Sequence, residues 1–142
     1  MPEVLTPPDL RNEIADFYAR QVQAMDNGRF EEFAETFLED CAFTPVKHQS
    51  TAYGRASIVE KLNNFATTVF GTGQQRRHIM TMSVIDLVDD DTYNVTSYAI
   101  VTNTTVGQGP ALHWAGDIVD QLVREDGNLK VRSRAVRSDS IE

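Results

Sequence analysis

A single cysteine, Cys41, among 142 residues excludes an intrachain disulfide and any thiolate metal cluster assembled from one chain. It accords with a reducing compartment. Basic residues are also in short supply: 13 Lys and Arg against 21 Asp and Glu give a formal net charge of -8. No run of Lys or Arg forms a stripe, which excludes a grip on a nucleic-acid backbone. No apolar stretch approaches the length that crosses a bilayer, so no membrane partner is expected. The opening MPEVLTPPDLRNE lacks the basic-then-apolar pattern of a signal peptide, and a cytoplasmic location is expected. His48, His78 and His113 lack metal-ligand spacing, and no Gly-x-Ser-x-Gly occurs. Gly71-Thr72-Gly73 opens a strand rather than a helix, so it lacks anion-binding geometry. The expectation is a protein with no metal and no cofactor.

The 41% hydrophobic fraction suffices for one core, and the length fits a single domain over residues 1–142. Thr6-Pro7-Pro8-Asp9 reads as a helix start with a Thr cap and proline at the first helical position. Leu10, Ile14, Phe17, Val22 and Met25 then recur at helical spacing until Asp26-Asn27-Gly28 stops the helix. A short second helix is expected to carry Phe30, Phe33, Phe37 and Leu38 on one face. Cys41-Ala42-Phe43 forms a brief apolar run ended by Pro45, and Val46 to Tyr53 reads as a loop. A third helix is expected over 55–69.

From Gln75 onward β-formers dominate. Strands are expected over 75–88, 92–106, 112–125 and 129–137, with Asp126-Gly127 as a hairpin turn. Three helices ahead of an antiparallel meander imply an α+β fold with the helices on one sheet face. Strands this long must twist and curl, leaving a hollow between sheet and helices.

Alternate residues of a strand share a face, so candidate pocket walls follow from parity. If His78 faces the helices, so do Met80, Met82 and Val84. The next strand offers Val95, Ser97, Ala99, Val101 and Asn103, and the third offers His113, Ala115, Asp117, Val119, Gln121 and Val123. Such a mostly apolar cavity with a few polar groups is how small-molecule sites are built. Parity here assumes no bulge. Read singly, each polar candidate has a plainer role. His78 is also a structural histidine at a strand start, and Asp26 a turn residue at a helix end. Asp117 needs a partner or faces solvent, while Asp120, of opposite parity, reads as solvated. Tyr18 and Tyr98 read as core aromatics before pocket donors. Trp114 either lines the pocket mouth or caps the sheet edge.

Phe17-Tyr18-Ala19-Arg20-Gln21, Met25-Asp26-Asn27-Gly28-Arg29-Phe30 and Phe37-Leu38-Glu39-Asp40-Cys41-Ala42-Phe43 together resemble the opening of SnoaL-like proteins of the NTF2-like fold. Gly54-Arg55-Ala56-Ser57-Ile58, Arg77-His78 and Gly116-Asp117-Ile118-Val119-Asp120 continue the pattern over nearly the whole chain. The resemblance is nearest to small accessory proteins of bacterial aromatic polyketide pathways. It implies a cone of three helices packed on a strongly curved, mainly antiparallel sheet, a homodimer, and a pocket for a small hydrophobic aromatic, polyketide-like molecule. Scytalone dehydratase, another relative, places a catalytic aspartate and histidine at positions matching Asp26 and His78. Its second pocket histidine falls at Asn103, its asparagine at Asp117, and its two tyrosines at Met25 and Phe43. Ketosteroid isomerase places its base near Pro45 and its oxyanion tyrosine at Gln21, which disfavours that reaction. The resemblance thus implies catalytic His78 and Asp26, with Asp117, Asn103 and Phe43 around the substrate, and the reading of the helices and strands adds Tyr18, Tyr98, Trp114 and Met80. The activity implied is a cyclase or dehydratase, or else a binding protein that assists a pathway oxygenase.

Overall fold

The computed structural model describes residues 6–45, 50–69 and 73–140. His48, the first half of the expected loop from Val46, and Gly71-Thr72 lie outside them. The first helix, α1 (Pro8–Asp26), starts on proline, whose fixed φ suits the first turn. Its N-cap is Pro7 and no side chain caps it. The expected Thr6 cap is not made; the Thr6 hydroxyl accepts a 3.5 Å hydrogen bond from Arg11 instead. The helix ends at Asp26, where the Asn27 side chain donates back to the Gln23 carbonyl at 2.8 Å.

The second helix is shorter than its hydrophobic spacing suggests. α2 covers only Phe30–Glu35, and Phe37 already begins strand β1 (Phe37–Thr44). Thr36 makes the break: its carbonyl accepts from the Val131 amide at 2.8 Å, so the chain leaves the helix to join the sheet. Phe37 and Cys41 are fully buried from the strand rather than from a helix face. Ala52–Tyr53 forms a two-residue strand, β2, within the stretch expected to be loop. The third helix, α3 (Arg55–Val69), occupies the expected span.

Four long strands follow: β3 (Gln74–Asp89), β4 (Thr92–Thr105), β5 (Pro110–Glu125) and β6 (Asn128–Ser138). They form one six-stranded sheet in the order β2-β1-β6-β5-β4-β3. All pairings are antiparallel except β1 with β6. Asp126-Gly127 makes the last hairpin, with φ of 52° and 82°, the left-handed conformation that such two-residue turns require. Bulges bend the sheet round the helices. One extra residue sits between Thr81 and Val84 on β3, where Met82 has φ of 54°. Others fall at His113 on β5 and at Arg132 on β6. Each raises the local twist, and together they turn the sheet into the expected α+β cone.

The bulges also correct the parity. On β3, His78 and Met80 face the helices, but past Met82 the inward residues are Ser83 and Ile85, while Met82 and Val84 are exposed. β4 keeps its expected inward set. On β5 the expectation is inverted: Val95 pairs with Asp120, Ser97 with Ile118, and Val101 with Trp114, so these β5 residues point inward. Asp120, expected to be solvated, is 1% exposed. Its carboxylate accepts from the Tyr18 hydroxyl at 2.8 Å and from Arg134 at two atoms, both 2.8 Å. Arg134 also donates to the Gln21 side chain at 2.6 Å. This network ties α1, β5 and β6 together beneath a core of Ile14, Phe33, Phe37, Val95, Leu122 and Val131.

Candidate functional site

Asp26 is the last residue of α1, and its carboxylate turns inward to the start of β3. One oxygen lies 2.6 Å from His78 Nδ1, and the other accepts the His78 backbone N–H at 2.9 Å. The carboxylate therefore holds both the ring and the backbone of one residue. The Asp26 and His78 side chains are 7% and 21% exposed, so the pair is sheltered and the imidazole retains access to space. With Nδ1 donating to a carboxylate, Nε2 is the nitrogen that can take a proton from a bound molecule. Among the described residues, none bonds Nε2.

That space is an aromatic cavity of about 190 Å³ between α3, the end of α1 and the sheet. Phe30, Phe43, Phe65, Leu62 and Trp114 form its walls, with Asp26, His78 and Arg76 as the polar groups. Small-molecule pockets commonly run to roughly 300–1,000 Å³, so this one takes a compact ring system. A larger groove of about 510 Å³ runs along α1 and β3 and includes Arg11, Tyr18, His78 and Met80. The imidazole borders both hollows.

The structure brings together His78, Asp26, Trp114 and Phe43 in the aromatic cavity. Met80 and Tyr18 line the groove instead. The Tyr18 hydroxyl is committed to Asp120, and burial, reinforced by that carboxylate, raises its pKa well above the ordinary tyrosine value. Asn103 faces inward beside Arg76 and donates to the Gln74 side chain at 3.0 Å. Two expectations are corrected. Asp117 lies on the outer sheet face, where Arg137 donates to both its oxygens at 2.6 and 2.5 Å and lowers its pKa. Tyr98, its cross-strand partner, is 63% exposed on that same face. Neither touches the cavity. For Asp117 the physical reason lies in β5, which carries apolar residues on both faces, so periodicity does not choose between them. Tyr98 has the opposite parity to Val95, Ala99 and Val101 on β4, and alternation itself sets it outside.

Arg76 is a site residue outside the sequence expectation. It sits two positions before His78 on the same strand face, so the period-two rule does point to it. Its guanidinium carbon lies 4.4 Å from the centroid of the Phe65 ring. Burial lowers its pKa, and no carboxylate among the described residues offsets that. His113, at the β5 bulge, has its pKa lowered first by burial and then by the charges of Arg76 and His78.

No protein of curated function matches the sequence. Solved structures do. A Catenulispora acidiphila protein in complex with S-DNPA is 36% identical, with a TM-score of 0.85 over 94% of this chain and 96% of that one. Aln2 from a Streptomyces species is 32% identical, with a TM-score of 0.87 over 96% and 95%. ActVI-ORFA from Streptomyces coelicolor is 31% identical, with a TM-score of 0.89 over 96% and 99%. The sequence profile of the SnoaL-like domain matches residues 9–135, which takes in both partners of the Asp–His pair. The chain belongs to the SnoaL-like family, built on the NTF2-like cone.

Proposed function

We propose that this chain is an acid–base enzyme, a cyclase or dehydratase acting on an aromatic polyketide-type intermediate, with His78 as the proton-transfer group and Asp26 as its anchor. The observation that carries this reading is the two-point hold of Asp26 on His78 at the wall of an aromatic cavity. In the acid–base cycle, His78 Nε2 removes a proton from an activated carbon or hydroxyl of the bound molecule. The resulting imidazolium, stabilised by Asp26, returns that proton to a hydroxyl that leaves as water or to the enolate oxygen, which becomes an enol. Proton transfer of this kind needs no redox partner. The apolar walls shield the exchange from bulk water. The Catenulispora relative was solved in complex with S-DNPA, which supports a small-molecule ligand for this chain.

A second reading is a binding protein that holds an intermediate for a partner oxygenase. One observation favours it: Met25 and Phe43, at the positions of the tyrosines of scytalone dehydratase, line the cavity without a hydroxyl. A homodimer through the outer sheet face accompanies either reading.

Purified protein, Asp26→Asn and His78→Ala are to be mixed with a panel of aromatic polyketide intermediates and followed by mass spectrometry. Conversion to an isomer or a product lighter by water should fall by about 10²–10⁴-fold in His78→Ala. Conversion that survives in both variants removes the acid–base reading. Binding without conversion in all three proteins favours the accessory one.

A further inference from the structure

The cavity wall carries one cation whose charge the described residues leave uncompensated. Arg55 donates to the Phe37 carbonyl at 2.7 Å, and Arg134 and Arg137 each grip an aspartate. Arg76 differs. Its Nε is buried without a hydrogen-bond partner, its guanidinium stacks on Phe65, and it lines the aromatic cavity beside His78. The carboxylate that lines the cavity, Asp26, has both oxygens engaged by His78. Directly across the ladder, the Asn103 side-chain oxygen is also buried without a donor. An unsatisfied buried donor such as the Arg76 Nε is costly in a folded protein, and a bound molecule that brings an acceptor to the guanidinium offsets that cost.

We propose that Arg76 is the anion receptor of the cavity, and that the molecule bound there is an aromatic acid whose carboxylate the guanidinium holds while its ring lies against Trp114 and Phe65. This deepens the small-molecule reading above and rests on it. A guanidinium presents a planar fork that matches a carboxylate, and stacking on Phe65 fixes the plane of that fork. The charge-assisted contact anchors one end of the ligand. The ring system then extends along the apolar wall toward His78, which leaves Nε2 facing a carbon or hydroxyl rather than the acid. Arg76 is in this scheme a binding residue that sets which class of molecule enters and which way round it lies.

The probes are 2-naphthoate and its neutral isostere 2-naphthamide, titrated into the whole chain by 1H–15N NMR. Trp114 is the single tryptophan, so its indole N–H gives one signal from a residue that lines the cavity. The wild type should bind the acid about 10- to 100-fold more tightly than the amide, the range of a charge-assisted hydrogen bond. Arg76→Gln should bind both equally, and Arg76→Lys should keep part of the preference. The same spectra show whether each variant is folded. Should Arg76→Gln fail to fold, raising the salt concentration on the wild type serves instead, since only the acid's affinity should then fall. Equal affinities in the wild type, a preference that survives in Arg76→Gln, or one indifferent to salt overturns the assignment and leaves the aromatic pocket standing. A Trp114 signal unmoved by either probe overturns the assignment together with the pocket reading beneath it.

Discussion

Asp26 shows how one residue can satisfy a local rule and a distant one. It ends a helix at Asp-Asn-Gly, as turn chemistry asks, and the Asn27 side chain takes over the capping contact. That frees the Asp26 carboxylate for His78, a residue 52 positions away. The charges gathered at the cavity should be visible in solution. His113 has its pKa lowered by burial, then by Arg76 and His78. Arg76→Gln removes one of those charges, so the His113 titration should move up toward the ordinary imidazole value of 6.5. NMR titration of the ring carbons checks this, and an unmoved curve would mean that the guanidinium's field does not reach His113. The sign for stability follows. A lowered histidine pKa means that the unfolded chain binds more protons than the folded one as pH falls through 6.5. The His113 contribution is therefore complete above that pH and is lost below it, and the loss should be smaller in Arg76→Gln.

At the scale of strands and helices, backbone irregularities place the side chains. Gly116 illustrates the tolerance. A Cβ there would stand 1.9 Å from the Arg137 carbonyl oxygen, because the end of β6 runs hard against β5. Gly116→Ala should cost about 1–3 kcal/mol, as overpacking does, measured by urea denaturation. It should also loosen the β6 end, and with it Val136 in the cavity wall. An unchanged unfolding midpoint would mean that the strand end moves aside freely. The same irregularities mark what a sequence can disclose. Helix α3, the long strands and the Asp126-Gly127 turn are legible, since periodicity and turn chemistry are local signals. The β4 face is legible because Val95, Ala99 and Val101 alternate with Asn94, Tyr98 and Thr102. The β5 face is not, because Trp114, Ile118 and Leu122 on one side are no more apolar than Ala115, Val119 and Val123 on the other. The β3 and β6 bulges depend on pairing with neighbours, so no local pattern announces them. Parity alone consequently sets Asp117 inside and Asp120 outside, the reverse of what the ladder imposes. The end of α2 escapes for a related reason: Thr36 gives its carbonyl to Val131, a contact between residues 95 positions apart.

For the molecule as a whole, the cone uses one face of its sheet and leaves the other uncovered. On that outer face Ile79 pairs with Ile100 across the ladder, and Tyr98 sits beside Asp117. Ile79, Ile100 and Tyr98 are 47%, 40% and 63% exposed. Contiguous exposed apolar side chains on an uncovered sheet face favour association, and a two-fold axis lets the same patch serve both partners. The Asp117–Arg137 pair stands within this patch, where it adds polar contacts for a partner surface. A homodimer through this face should therefore show twice the 15.9 kDa chain mass by light scattering. Tyr98→Asp with Ile100→Asp sets carboxylates into the patch and should return the mass to that of one chain. These side chains point away from the cavity, so the monomer should keep its Trp114 response to an aromatic acid. A wild-type chain at 15.9 kDa across the accessible concentration range would exclude the dimer. A variant that loses ligand binding along with its partner would show that the cone needs the second copy to hold its pocket open.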